Sequence, residues 1–194
     1  MLSGAAAPAT PLEATAGEME TTADLIVAAA AILGENQRQE EEPGSLSAVG
    51  CALANAAAEL RVAADALSGE DCSWEDAAFA LGGVASSLQA AAAASTDELE
   101  AALLDAAAEL EDASSVTGCI SLAAAAGPNL QAAGESLSLA AEALDARGQD
   151  VSTGPTPAHS AAGSNLIEAA KPLKASATAM VAAGELLEHG APPE

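Results

Sequence analysis

Large apolar residues recur every seven positions along most of the chain. The series runs Leu12, Met19, Ile26, Leu33; Leu46, Leu53, Leu60, Leu67; Trp74, Leu81, Leu88; Leu103, Leu110; Leu130, Leu137, Leu144; and Leu166, Leu173, Met180, Leu187. Seven residues are close to two turns of α-helix, so each series forms one stripe on one helix. A β-strand would send successive members of the same series to opposite faces.

Small residues follow three positions after many of these rungs, among them Ala29, Val49, Ala56, Ala63, Ala77, Val84, Ala106, Ala133, Ala140, Ala169, Ser176 and Ala183. They let a neighbouring helix come close. A seven-residue period combined with close approach predicts near-antiparallel packing, with crossing angles of about +20°.

Alanine makes up most of the 51% hydrophobic content, and the chain has one Phe, one Trp and no Tyr. Alanine has the highest helix propensity, and the β-branched and aromatic residues that favour strands are scarce. Each alanine buries little surface. At roughly 25 cal/mol per Å² of apolar area, a core must be gathered by bringing helix backbones together.

The expected fold is therefore all-α, an up-down bundle of about five to six Ala/Leu-rich helices. Local signals place them near 11–33, 45–67, 73–94, 96–126 with a break around 114–118, 128–147, and 164–189 with a kink at Pro172. Thr10-Pro11-Leu12-Glu13 and Ser95-Thr96-Asp97-Glu98 read as capping boxes that start helices. Gly34, Gly69, Gly148 and Gly190 read as stops, and Gly127-Pro128-Asn129 as a break that opens the next helix. The domain expectation is a flexible N-terminus over 1–10, a single bundle over 11–190 and a short tail over 191–194. Residues 149–163, rich in Pro and Gly, are expected to form a loop within that bundle.

The octets LANAAAEL from Leu53 and LLDAAAEL from Leu103 match closely, as do LRVAADAL from Leu60 and LSLAAEAL from Leu137. Their spacing is irregular, so no solenoid of fixed period is expected. Leu166 to Ala183, with leucines separated by paired alanines, resembles the helices of talin- and vinculin-type rod bundles over this one helix. That resemblance implies a scaffold that binds other helices by groove exchange.

Twenty-nine acidic residues against five basic ones give a formal net charge of -24. Such a field repels phosphate backbones and anionic lipid headgroups, so no nucleic-acid partner is expected and a cationic partner surface is favoured. No integral membrane span is expected. The apolar run Leu25–Leu33 is too short, and Ala77–Ala94 is interrupted by Gly82, Gly83, Ser86, Ser87 and Gln89. Met1 to Gly17 lacks the basic start and apolar run of a signal peptide, and the compartment stays open.

Chemistry is sparse. Histidine occurs twice, as His159 and His189, neither beside a nucleophile on a shared face, so no catalytic residue and no enzyme activity are expected. No cofactor or metal motif occurs, and the cluster Glu35, Glu40, Glu41, Glu42 reads as solvated charge. Cys51, Cys72 and Cys119 are widely spaced and read as small buried apolar residues, with one disulfide an open alternative.

One segment stands apart. Trp74 to Ala94 holds both aromatics, carries no charge from Ala77 onward, and contains the pair Gly82-Gly83. Two adjacent glycines cost a helix roughly 1 to 2 kcal/mol relative to alanine, so a close-packed helix or a flat ligand should offset them. Either this helix is central or its outer face meets another chain. The partner-contact candidates are Trp74, Phe79, Gly82, Gly83, Ser86 and Ser87, with the core the favoured place for the two aromatics. The functional expectation is a non-catalytic scaffold or accessory subunit that contacts other protein chains in a larger assembly. The alternative is a carrier or coat protein that takes a pigment, lipid or granule surface through its uncharged helices.

Overall fold

The computed structural model describes residues 9–34, 45–68, 73–116 and 120–190, the side chains of 120–123 and of 190 excepted. Six helices account for about 93% of these residues, and no strand occurs among them. They are α1 (Ala9–Leu33), α2 (Leu46–Ser68), α3 (Trp74–Ala93), α4 (Asp97–Ser115), α5 (Ile120–Ser152) and α6 (Pro157–Gly190). The chain is an all-α bundle.

Each helix packs on its neighbours in the chain, and α6 returns to pack on α1, so the six close into a ring. The seven-residue rungs point inward. Leu12, Met19, Leu53, Leu60, Leu81, Leu88, Leu110, Leu130 and Leu137 are among the side chains buried to within 1%. The small residues three positions after a rung are buried as well, including Ala56, Ala77, Val84, Ala106 and Ala169.

A second small stripe, four positions after each rung, is what makes a ring possible. On a helix with a seven-residue repeat, positions +3 and +4 flank the rung symmetrically, at about 51° to either side. A helix in a ring has two neighbours, so it needs two close-packing flanks. Ala16, Ala23, Ala57, Ala78, Ala85, Ala107, Ala141 and Ala177 fill the second flank, and all are buried.

The contacts show how the flanks are shared out. Across α5 and α6, the +4 stripes meet in antiparallel register, Gly127 with Gly184, Gly134 with Ala177, and Gly148 with Gly163. Across α1 and α2, Gly50 lies against the backbone of Ala23, again +4 against +4. The ring closes through the +3 stripes. There the Ser176 hydroxyl donates to the Thr15 carbonyl at 3.2 Å, and the Thr22 hydroxyl approaches the Ala169 carbonyl at 3.4 Å. Thr15, Thr22 and Ser176 are fully buried. The two threonines also donate to the carbonyls of Pro11 and Glu18 one turn back, at 2.8 and 2.9 Å, so no hydroxyl is stranded.

Several sequence-based boundaries need correction. Gly148 does not end a helix, because α5 runs on to Ser152. Residues 149–163 are not a loop. α6 starts at Pro157, and the connection is the short turn Thr153–Thr156. Pro157 supplies the fixed φ of a first helical residue, and the Thr156 hydroxyl accepts from the backbone N–H of His159 at 3.4 Å. Gly148 and Gly163 are weak helix formers held in helix by each other. A Cβ on Gly148 would lie 2.9 Å from the Gly163 carbonyl oxygen.

Nor does Gly127-Pro128-Asn129 break the chain, since Pro128 lies inside α5. Pro128 is exposed on the outer side of α5, and Gly127 beside it is pinned against α6. The helix expected over 96–126 does end within its expected break at 114–118, at Ser115, and the residues from Ile120 onward belong to α5. α6 likewise continues through Pro172. Gly34 does follow α1, with φ +79 and its N–H on the Ala31 carbonyl at 3.2 Å.

The capping boxes fare differently from expectation. α1 already includes Ala9 and Thr10, so Thr10 is not its cap. Thr96 precedes α4 without a side-chain cap bond, because its hydroxyl accepts from the Arg147 guanidinium at 3.1 Å. Asp97, the first residue of α4, has φ +58, a conformation that Asp tolerates better than most residues.

Cations are scarce, and three of the four described ones cross helix seams. Arg61 of α2 pairs with Glu20 of α1, Lys174 of α6 with Glu142 of α5 at 3.6 Å, and Arg147 of α5 reaches Thr96 beside α4. Lys171 pairs with Glu168 within α6 at 2.6 Å.

Candidate functional site

α3 begins at Trp74. Ser73 caps it, its hydroxyl accepting from the Asp76 N–H at 3.2 Å, and Glu75 and Asp76 in the first turn suit the helix dipole. Trp74 occupies the first rung at 5% exposure, and its indole N–H donates to the Val116 carbonyl at 2.6 Å. It ties the start of α3 to the end of α4 and takes no part in the outer face.

Phe79 does the opposite. Its side chain is 87% exposed, against the expectation that both aromatics sit in the core. The cause is register. Phe79 stands five positions after the Trp74 rung, on the side of the helix turned away from the ring interior. Among the described large apolar residues it is the most exposed, ahead of Leu139 at 57% and Val62 at 52%.

Phe79 stands on an open groove of about 600 Å³ that runs along the outside of α3. It is lined by Glu75, Ala78, Phe79, Gly82, Gly83 and Ser86 of α3, by Glu59 of α2, whose side chain lies over Gly83, and by Ser114 of α4 beside Gly82. Of the six candidate residues, the structure brings four together here, Phe79, Gly82, Gly83 and Ser86. Ser87 is half-buried and does not line the groove. Sequence reasoning missed Glu59, Glu75 and Ser114. Glu75 was findable as the residue one turn before Phe79, whereas Glu59 and Ser114 arrive from other helices.

The glycines explain the depth. A Cβ on Gly82 would meet only the Ser114 side chain, at 3.6 Å. For one on Gly83 the three nearest atoms all belong to the Glu59 side chain, at 2.9 to 3.0 Å. No backbone of another helix lies within 4 Å of a Cβ on Gly82, and none is among the three atoms nearest to one on Gly83. By contrast Gly50, Gly127, Gly134, Gly148, Gly163 and Gly184 each bring another helix's carbonyl oxygen within 3.1 Å of the Cβ they lack. Those six serve the ring. Gly82 and Gly83 differ in that the atoms nearest them are side chains, Ser114 of α4 and Glu59 of α2, while Gly17 of α1 has nothing within 4 Å.

The remaining residues of chemical interest lie elsewhere. His159 Nδ1 is 2.6 Å from the Thr156 hydroxyl at the start of α6, and His189 Nδ1 is 2.9 Å from the Glu185 carbonyl near its end. Cys51 is exposed on α2 and free, where a buried position was expected. Cys72, Cys119 and the cluster from Glu35 to Glu42 lie outside the described residues. Among the described residues, no group of three or more His, Cys, Asp or Glu is placed to hold a metal ion.

One described helix, α2, is long and apolar enough by composition to reach the threshold for crossing a membrane, and half of that stretch is buried in the bundle. It carries Glu59, Arg61 and Asp65. This amounts to no clear integral span. No family model matches the chain, and no curated protein is similar to it in sequence.

Proposed function

We propose that this protein is a non-catalytic helical scaffold or accessory subunit that docks another protein chain on the outer face of α3. The observation that carries the reading is the pair Gly82-Gly83. A mid-helix glycine costs about 1 kcal/mol relative to alanine, and six others in this chain are offset by a helix backbone packed upon them. At Gly82 and Gly83 the nearest atoms are movable side chains, Ser114 and Glu59, the pair is flanked by a Phe that is 87% exposed, and both glycines line a groove. A single exposed apolar side chain is ordinary on a soluble surface. An exposed Phe over a cleared helical floor is the arrangement of an interface anchor beside a recess.

The carrier alternative draws less support. That reading uses the uncharged helices, and the groove on uncharged α3 carries the carboxylates of Glu59 and Glu75, which suit a cationic polypeptide better than a lipid or pigment.

The test is a photo-crosslinker placed at residue 86, on exposed Ser86, in protein expressed in its native host. A discrete crosslinked polypeptide, lost when Phe79 is replaced by Ser, is the expected result. Recovery of lipid or an absorbing pigment with no crosslinked chain would overturn the scaffold reading in favour of the carrier.

A further inference from the structure

We infer that the occupant of the α3 groove is an amphipathic helix of a different protein, laid lengthwise along α3, with lysines or arginines flanking a small-residue or leucine stripe. The inference rests on the docking function proposed above and names the class of its partner.

Shape argues for a helix. Glu75, Ala78, Phe79, Gly82, Gly83 and Ser86 are spaced 3, 1, 3, 1 and 3 apart, which is one helical stripe. They extend over about 16 Å at 1.5 Å per residue, so the groove is elongated along α3 and suits a rod. The glycines remove two Cβ atoms of α3 itself, so a second backbone can come close once the flexible Glu59 side chain over Gly83 swings aside. The α5–α6 seam shows the outcome of that chemistry within this chain, where Gly127 and Gly184 bring two helix backbones into contact.

Charge selects the kind of helix. The α3 residues from Ala78 to Ser86 that line the groove are uncharged, and the groove carries two carboxylates, Glu59, which lies over Gly83, and Glu75. Among the described residues, neither is paired with a cation, whereas Glu20, Glu142 and Glu168 are. Two carboxylates beside a partly desolvated floor attract Lys or Arg and repel Asp or Glu, and the net charge of -24 strengthens that choice at a distance. The same charges argue against a second copy of this chain, which would bring its own Glu59 and Glu75 to the contact. Phe79 then serves as the anchor, inserting between side chains of the partner's stripe.

The test uses the intact protein and dye-labelled helical peptides of about 20 residues, long enough to form helix on contact. Three versions share one Ala/Leu stripe and differ in the flanking residues, Lys/Arg, Gln or Glu. Fluorescence anisotropy reads affinity, and circular dichroism with thermal melting verifies that each variant is folded. The expected result is binding of the Lys/Arg version at one per chain. Its affinity should fall about tenfold or more in Phe79→Ser and in Gly83→Leu. It should also fall several-fold in the double variant Glu59→Gln, Glu75→Gln, and on raising salt from about 50 to about 500 mM.

Equal binding of the Gln and Lys/Arg versions, still sensitive to Phe79→Ser, would overturn the charge requirement while the docking face stood. Binding of the Lys/Arg version that ignores both Phe79→Ser and Gly83→Leu would place it elsewhere on the acidic surface and overturn the inference. Absence of binding by all three would overturn it too. The crosslink at residue 86 decides separately whether the docking function falls with it. Self-association of the wild-type chain that Phe79→Ser abolishes would make a second copy the occupant and would likewise overturn it.

Discussion

Gly127 and Gly184 face each other across α5 and α6 so closely that neither has room for a methyl group. A Cβ on Gly127 would lie 2.7 Å from the Gly184 carbonyl oxygen, and one on Gly184 would lie 2.5 Å from that of Gly127. The obstruction is backbone, which cannot rotate aside. Gly184→Ala should therefore destabilise the protein by about 1 to 3 kcal/mol despite the better helix propensity of alanine. Gly17→Ala, where open space surrounds the new methyl, should gain up to about 1 kcal/mol. Urea unfolding of the two variants checks the pair, and shifts of the same sign would contradict the seam.

The groove glycines should behave like Gly17. Gly82→Ala meets ordinary contact at 3.6 Å, and Gly83→Ala first meets the flexible side chain of Glu59, which must move aside. Each substitution should stabilise the isolated chain by about 0.5 to 1 kcal/mol. A fall in melting temperature for either variant would mean that the ring itself needs these glycines.

The inward rungs and the outer surface should separate cleanly within one turn of α5. Leu137 is fully buried and Leu139 is 57% exposed. Leu137→Ala should cost about 2 to 5 kcal/mol through the cavity it leaves, and Leu139→Ala should stay within about 0.5 kcal/mol. Chemical denaturation of both variants measures the contrast, and comparable losses would argue against the ring register.

Heptad rungs and their +3 alanines were legible because large residues against an alanine background reveal a period. The +4 stripe was harder to see. Alanine at position +4 looks like alanine anywhere else in this chain, and its role appears only when a helix must pack on two sides. Gly127, Gly134 and Gly148 did carry the signal, spaced by seven and fourteen. The intrinsic preference of glycine for helix ends points the other way, toward a stop at Gly148 and a loop reaching Gly163. Tertiary contact overrode propensity at both. Phe79 could have been placed outside from its register, five positions after Trp74, but the hydrophobicity of phenylalanine argued for burial. Glu59 and Ser114 could not have been placed on the groove, because only the packing of α2 and α4 beside α3 brings them there.

Like charges crowd the surface, and the cross-seam ion pairs are exposed. Arg61–Glu20 and Lys174–Glu142 are each worth at most about 1 kcal/mol and weaken as salt rises. Repulsion among the carboxylates is the larger effect at a net charge of -24, so screening should raise the melting temperature between low and moderate salt. A melting temperature that falls over this range would show that the cross-seam pairs dominate.

The central claim is that α3 presents its outer face to another chain, and Gly83→Leu tests it most directly. The new side chain would fill the groove floor against the movable Glu59, without entering the ring. The measurement is the size of the assembly carrying the protein in extracts of its native source, together with the melting temperature of the purified chain. The account predicts that the wild-type chain elutes in a larger complex, and that the variant leaves it while melting no lower than wild type. A variant that melts lower on its own, or that melts normally and stays in the complex, would contradict it.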